Sequence, residues 1–143
     1  MLTEDDVVNA VCAHLTAAGY EIKRKAATTE SGDDIVAVRR RSPVALYIEA
    51  KGETSNRRTS NRYGQPFSRS QCRDHVANAF YTAAKMADRK RLPKGGSVGI
   101  ALADTRLHRE FVNNVQQALD RLGISVFWVD TSHRVGLTAK WKL

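Results

Sequence analysis

The sequence predicts an α/β fold: a mixed β-sheet flanked by helices. Three observations lead there. Apolar residues recur at three- and four-residue spacing in three long segments, the period of a helix with one buried face. Five short runs rich in Val, Ile, Tyr and Phe lie between and beside them, bounded by Gly, Pro, Asp and Ser. The segments follow in the order αβββαβαβ, with no internal repeat or low-complexity tract, and one mixed-sheet domain over residues 1–143 accommodates that order.

Thr3 followed by Asp6 has the form of a capping box. Val7, Val8, Val11, Leu15 and Ala18 then share a helical face until Gly19 stops the run, so the first helix spans residues 4–18. "YEIKRKAA" reads as a strand, "TTESG" as a turn, "DDIVAV" as a second strand, "RRRSP" as a tight connection and "VALYIEAK" as a third strand. From Gly52 to Arg69 the chain has few large apolar residues, which predicts a mobile basic loop. Helical spacing returns in "SRSQCRDHVANAFYTAAKMADRK" through Cys72, Val76, Ala79, Phe80, Ala83 and Ala87, and "LPKGG" ends it. "SVGIALAD" is a buried strand, "TRLHREFVNNVQQALDRLG" a capped helix and "ISVFWVD" another strand, while "RVGLTAKWKL" adds an edge strand or a tail.

Composition narrows the function classes. At 143 residues and 42% hydrophobic, the chain can bury a core without disulfides or a structural metal. No apolar run approaches the roughly 20 residues of a membrane span, and the acidic start MLTEDDVV is unlike a secretory signal, so a cytoplasmic location is expected. Cys12 and Cys72 lack the spacing of a disulfide framework or zinc site, and no Walker loop, GxGxxG or nucleophile elbow occurs. Lys and Arg number 23 against 15 acids, a net charge of +8, which points to a nucleic-acid partner.

The chemistry concentrates in "GDDI" and "IEAK". Side chains alternate along a strand, so Glu49 and Lys51 share a face, and a hairpin across "RRRSP" returns the chain so that Asp34 comes near Glu49. Two adjacent carboxylates repel unless protonated or bridged by a cation, and oxygen-only donors suit Mg²⁺ or Mn²⁺. A metal there would activate water and neutralise charge on a phosphate, with Lys51 orienting the attack or stabilising the transition state: the parts of phosphodiester hydrolysis. Standing alone, Glu49 and Lys51 would read as a solvated ion pair contributing about 0–1 kcal/mol.

A helix, then "GDDIVAV", then "IEAK", then a helix beginning near Gln71 resembles the PD-(D/E)XK nuclease superfamily, which shares its fold with restriction endonucleases and archaeal Holliday-junction resolvases. The resemblance covers roughly residues 4–130 and implies a restriction-endonuclease-like fold. It implies a Mg²⁺-dependent deoxyribonuclease, an endonuclease with DNA as partner. It makes Asp34 the motif aspartate, ahead of Asp33, Glu49 the second metal-binding acid, the Ala50 carbonyl an extra ligand and Lys51 the catalytic lysine. Many members carry a glutamate in the first helix at a position that falls on Val8 here, a departure that leaves Glu4 or Asp5, about one turn earlier, to reach the site; acids there also suit the helix dipole. Gln71 resembles a glutamine that some members place near the metal or phosphate, and His75, one turn on, is a weaker candidate beside the Cys72 and Val76 packing face.

Arg57, Arg58, Arg62, Arg69 and Arg73 follow Lys51, with Tyr63 and Phe67 interleaved, as in loops that track a phosphate backbone. Phe127 and Trp128 are expected in the core or an interface. A homodimer would allow both strands to be cut, with the apolar "ISVFWV" run as its candidate surface. The rival readings are a nucleic-acid-binding module of the same fold that has lost efficient cleavage, and a protein-interaction domain with a charged loop.

Overall fold

The computed structural model describes residues 1–25, 34–41, 45–55, 59, 61, 63–89 and 97–139. Its elements are α1 (Glu4–Ala17), β1 (Tyr20–Lys25), β2 (Ile35–Arg39), β3 (Ala45–Lys51), α2 (Arg69–Arg89), β4 (Ser97–Ala103), α3 (Arg106–Asn113), α4 (Gln116–Leu122), β5 (Ile124–Val129) and β6 (Val135–Thr138). The strands form one six-stranded sheet in the order β1-β2-β3-β4-β5-β6. β1–β2, β2–β3 and β5–β6 are antiparallel, β3–β4 and β4–β5 parallel, so the sheet is mixed and flanked by helices.

The expected order αβββαβαβ needs two corrections. The long helix predicted after β4 is broken into α3 and α4 around Asn114 and Val115. Val115 sits at φ −123° and ψ 12°, outside helical geometry, where two asparagines that compete for backbone bonds precede a β-branched residue. The chain after β5 also adds a true strand, β6, with Val126 opposite Thr138 and Val129 opposite Val135. β5 is therefore paired on both sides and all six of its residues are buried, which removes "ISVFWV" as a dimer surface.

Alternation along the central strands sends side chains to both faces, and each face has its own core. On one, α1 buries Val7, Val8, Val11 and Leu15 against Ile35, Ala37, Leu46, Ile48, Ala50, Ala101 and Phe127. On the other, α2, α3 and α4 bury Val76, Ala79, Ala83, Val112 and Leu119 against Val98, Ile100, Leu102, Val126 and Trp128. The small residues Ala37, Ala50 and Ala101 on the first face give room for α1.

α1 begins as the sequence predicts. The Thr3 hydroxyl accepts from the Asp6 amide at 3.1 Å, and the Asp6 carboxylate accepts from the Thr3 amide at 2.9 Å. It ends at Gly19, whose φ of 92° suits a residue without Cβ. Where the mobile loop was expected, the described ends are tied together: Phe67 N–H donates to the Glu53 carbonyl at 3.1 Å and the Thr54 hydroxyl to the Gln65 carbonyl at 2.8 Å. Asp33, Arg57, Arg58 and Arg62 lie outside the described residues. Among the described residues no helix is long and apolar enough to cross a membrane, and Cys12 and Cys72 are buried thiols.

Candidate active site

The antiparallel register of β2 and β3 places Ile35 opposite Ile48. Continued by one residue it brings Asp34 beside Glu49, on the face shared by Lys51. Asp34 Oδ2 accepts from the Ala50 amide at 2.8 Å, so this carboxylate holds the backbone of β3 just beyond the start of β2. The two acids that sequence alternation pairs are thus neighbours, and one of them is fixed by a main-chain donor.

Lys51 completes the group. Its Nζ lies 3.1 Å from Glu49 Oε1 and 3.7 Å from Glu4 Oε2, with all three side chains largely buried. Burial foremost, then the Asp34 charge, pushes Glu49 up to about 7 against the pull of Lys51. Glu4 is also raised, chiefly by burial and further by Asp34 and Asp5, with Lys51 opposing. Burial disfavours the Lys51 ammonium, but Glu4, Glu49 and Asp34 outweigh it and hold its pKa above the ordinary lysine value. A largely buried cation thus stands between two carboxylates that burial makes harder to ionise.

Val8, where the resemblance places an acid, is buried in the core, whereas Glu4 reaches the site from the first turn of α1 and Asp5 is exposed. The end of β3 explains why. Gly52 runs so close to the start of α1 that a Cβ built on it would lie 2.4 Å from the Glu4 amide nitrogen and 2.5 Å from the Thr3 carbonyl carbon. Glu53 follows with a backbone bond to the Leu2 carbonyl at 2.8 Å and accepts the Leu2 amide on its carboxylate at 2.9 Å. Sequence reasoning passes over both residues; a glycine directly after a catalytic-looking strand is the signal for such a close approach.

Gln71 is brought to the start of α2, but its Oε1 accepts from the Ser68 amide at 2.8 Å while the Ser68 hydroxyl accepts from the Gln71 amide at 3.3 Å. That reciprocal pair is a capping arrangement. His75 packs edge-on to Phe67 with ring centroids 4.4 Å apart, and its pKa is lowered first by burial and then by Lys51. His108 donates Nδ1–H to the Ala103 carbonyl at 2.8 Å, since a carbonyl can only accept. Among the described residues, His75 Nδ1 and His108 Nε2 are buried without a hydrogen-bond partner.

Arg69 and Arg73 line a surface cavity of about 500 Å³ with Ser68, Ser70 and Phe111, beside the start of α2. Arg69 is held by the Glu110 carboxylate and lies 5.0 Å from the centre of the Phe111 ring, and Arg73 is 3.3 Å from Asp74. Trp128 is buried under Arg109, 3.9 Å above its ring, as expected of a core residue.

Among the described residues no group of three or more His, Cys, Asp or Glu is arranged to hold a metal ion; the Lys51 ammonium stands between Glu4 and Glu49 instead. The donors nevertheless have the chemistry of a hard divalent cation. Asp34, Glu49 and the Ala50 carbonyl are all oxygen, and Mg²⁺ keeps several waters and needs only one or two protein carboxylates.

No protein-family model and no curated protein matches the sequence. Among solved structures the chain is weakly similar to SfsA of Pyrococcus furiosus in complex with Ca²⁺, at 14% identity and a TM-score of 0.38. The likeness covers 91% of this chain and 58% of that one, so the chain spans little more than half the length of SfsA.

Proposed function

We propose that residues 1–143 form a single restriction-endonuclease-like domain of the PD-(D/E)XK type that hydrolyses DNA phosphodiester bonds with Mg²⁺ or Mn²⁺. The observation that carries this reading is the convergence of Asp34, Glu49 and Lys51, with Glu49 pushed up to about 7 by burial beside a second carboxylate. Such a pair is costly in a core and useful where a cation and a phosphate arrive.

Asp34, fixed by the Ala50 amide, and Glu49 would hold the cation together with the Ala50 carbonyl. The bound ion supplies charge neutralisation at the phosphate and acidifies water. Lys51, kept protonated by Glu4, Glu49 and Asp34, donates hydrogen bonds to phosphate oxygen or the attacking water. Glu4 orients that ammonium. Gln71 keeps its candidate role through its amide nitrogen. Arg69 and Arg73, with Arg57, Arg58 and Arg62, hold the flanking phosphates. DNA rather than RNA follows from the family resemblance.

A module that binds nucleic acid without efficient cleavage is the second reading, favoured by the apolar Val8 where many members of that superfamily carry an acid. Supercoiled, linear, single-stranded and branched DNA, incubated with Mg²⁺, Mn²⁺ or EDTA, separates the two. Cleavage that needs the metal and falls at least about a hundredfold in Lys51→Ala is expected. Salt-sensitive binding with no cleavage of any substrate, and no metal uptake by calorimetry, would leave the binding module.

A further inference from the structure

Glu53 belongs to no part of the proposed chemistry, yet it joins the three segments that carry it. Its amide donates to the Leu2 carbonyl at 2.8 Å and its carboxylate accepts the Leu2 amide at 2.9 Å, so the segment leading into α1 is gripped from both backbone directions. Its carbonyl accepts from the Phe67 amide at 3.1 Å, just before α2. Its own chain neighbours are Gly52 and, one residue earlier, Lys51. Leu2 is buried in the α1-side core, so the gripped segment is anchored at its far side as well.

Gly52 makes the grip close. A Cβ there would come within 3 Å of backbone atoms of Leu2, Thr3 and Glu4, and backbone cannot swing away as a flexible side chain would. The backbones that carry Lys51 and Glu4 are therefore set against each other by main-chain contact between residues 2–4 and 52–53. A one-ångström displacement of an oriented group is enough to weaken catalysis severely.

We propose that Gly52 and Glu53 form a latch that positions Glu4 against Lys51, with Glu53 acting as a positioning residue through its hold on Leu2. The role in turnover rests on the nuclease reading above; the latch itself does not. The groups facing Lys51 are Glu4 from α1, Asp34 before β2, Glu49 on its own strand and His75 on α2, so loss of the latch removes one of several influences.

The test uses the full chain and two readouts at a fixed pH. The ¹⁵N signal of the Lys51 ammonium, assigned by its loss in Lys51→Ala, reports the ion pair without requiring activity. KM and kcat on the best-cleaved DNA report turnover. Glu53→Gln keeps a carbonyl oxygen for the Leu2 amide and should retain both the slowly exchanging ammonium signal and kcat. Glu53→Ala should shift the signal away from its wild-type position, since the Glu49 contact remains while that of Glu4 is lost, and lower kcat by about ten- to a hundredfold with KM little changed. Gly52→Ala should behave like Glu53→Ala, and if it does not fold, the Glu53 pair decides.

The latch is overturned if the wild type shows no ammonium signal, if Glu53→Ala leaves the signal at its wild-type position, or if Glu53→Gln shifts it as much as Glu53→Ala. An unshifted signal in Glu53→Gln and a shifted one in Glu53→Ala supports the latch even if the wild type cuts no DNA, an outcome that would sink the nuclease reading alone.

Discussion

Glu49 works against the stability of the fold that holds it. Its folded pKa of about 7 lies above its ordinary value of 4.5, so the folded state binds this proton more tightly than the unfolded chain. The stability linked to it is fully present below pH 4.5 and lost as pH rises through about 7. His75 and His108 act in the opposite sense: burial lowers both, so stability is lost as pH falls below their ordinary 6.5. At pH 8, Glu49→Gln should therefore be more stable than wild type by about 1–3 kcal/mol, and the gap should shrink as pH falls below 7. Urea melts of the two proteins at pH 5 and 8 check this; a variant equally destabilised at both values would mean that Lys51 needs the Glu49 charge more than burial resists it. The proximity of Asp34, Glu49 and Lys51 is legible from strand alternation and one short hairpin. The Asp34 bond to the Ala50 amide is not, because a carboxylate replacing a strand partner depends on where β2 begins, to the residue.

Elements were legible where a local rule decides them. The Thr3–Asp6 capping box places the start of α1, and Gly19 its end, before any tertiary contact is considered. Thr3→Ala should cost about 1 kcal/mol by removing the hydroxyl that accepts the Asp6 amide. Thermal unfolding measures it, and Thr3→Ser should recover most of the loss; no difference between Ala and Ser would assign the start of α1 to Glu53 and Gly52 instead. The break between α3 and α4 escapes periodicity, since both halves keep an apolar face toward the sheet and only the pair of asparagines before Val115 marks it. At Gln71 a local rule was there to be read as well: Ser68 followed three residues later by Gln71 has the form of a capping box, and the Gln71 side chain satisfies the backbone at the start of α2.

Across the whole molecule, charge sets the expected behaviour toward DNA. With a net charge of +8, and five arginines assigned to phosphates, log K for DNA should fall with log salt at a slope of about −4 to −5, or roughly −0.9 per phosphate contact. Fluorescence anisotropy in EDTA between low and moderate salt gives the slope, and Arg73→Ala should reduce its magnitude by about one. Binding without salt dependence, or none, would favour a protein-interaction domain. The mixed sheet with helices on both faces was legible from the order of elements, because three successive strands followed by alternation leave few other ways to bury the apolar runs.

The order of strands in the sheet is also the order of strands in the chain. Each strand hydrogen-bonds to the one made just before it, so a polypeptide leaving the ribosome can extend the sheet by one edge at a time, without reserving a gap for a later segment. α1 is the exception: it precedes the whole sheet, yet the Gly52 and Glu53 backbone against which it docks emerges only after β3. Birth order therefore makes closure of the site a late event for α1.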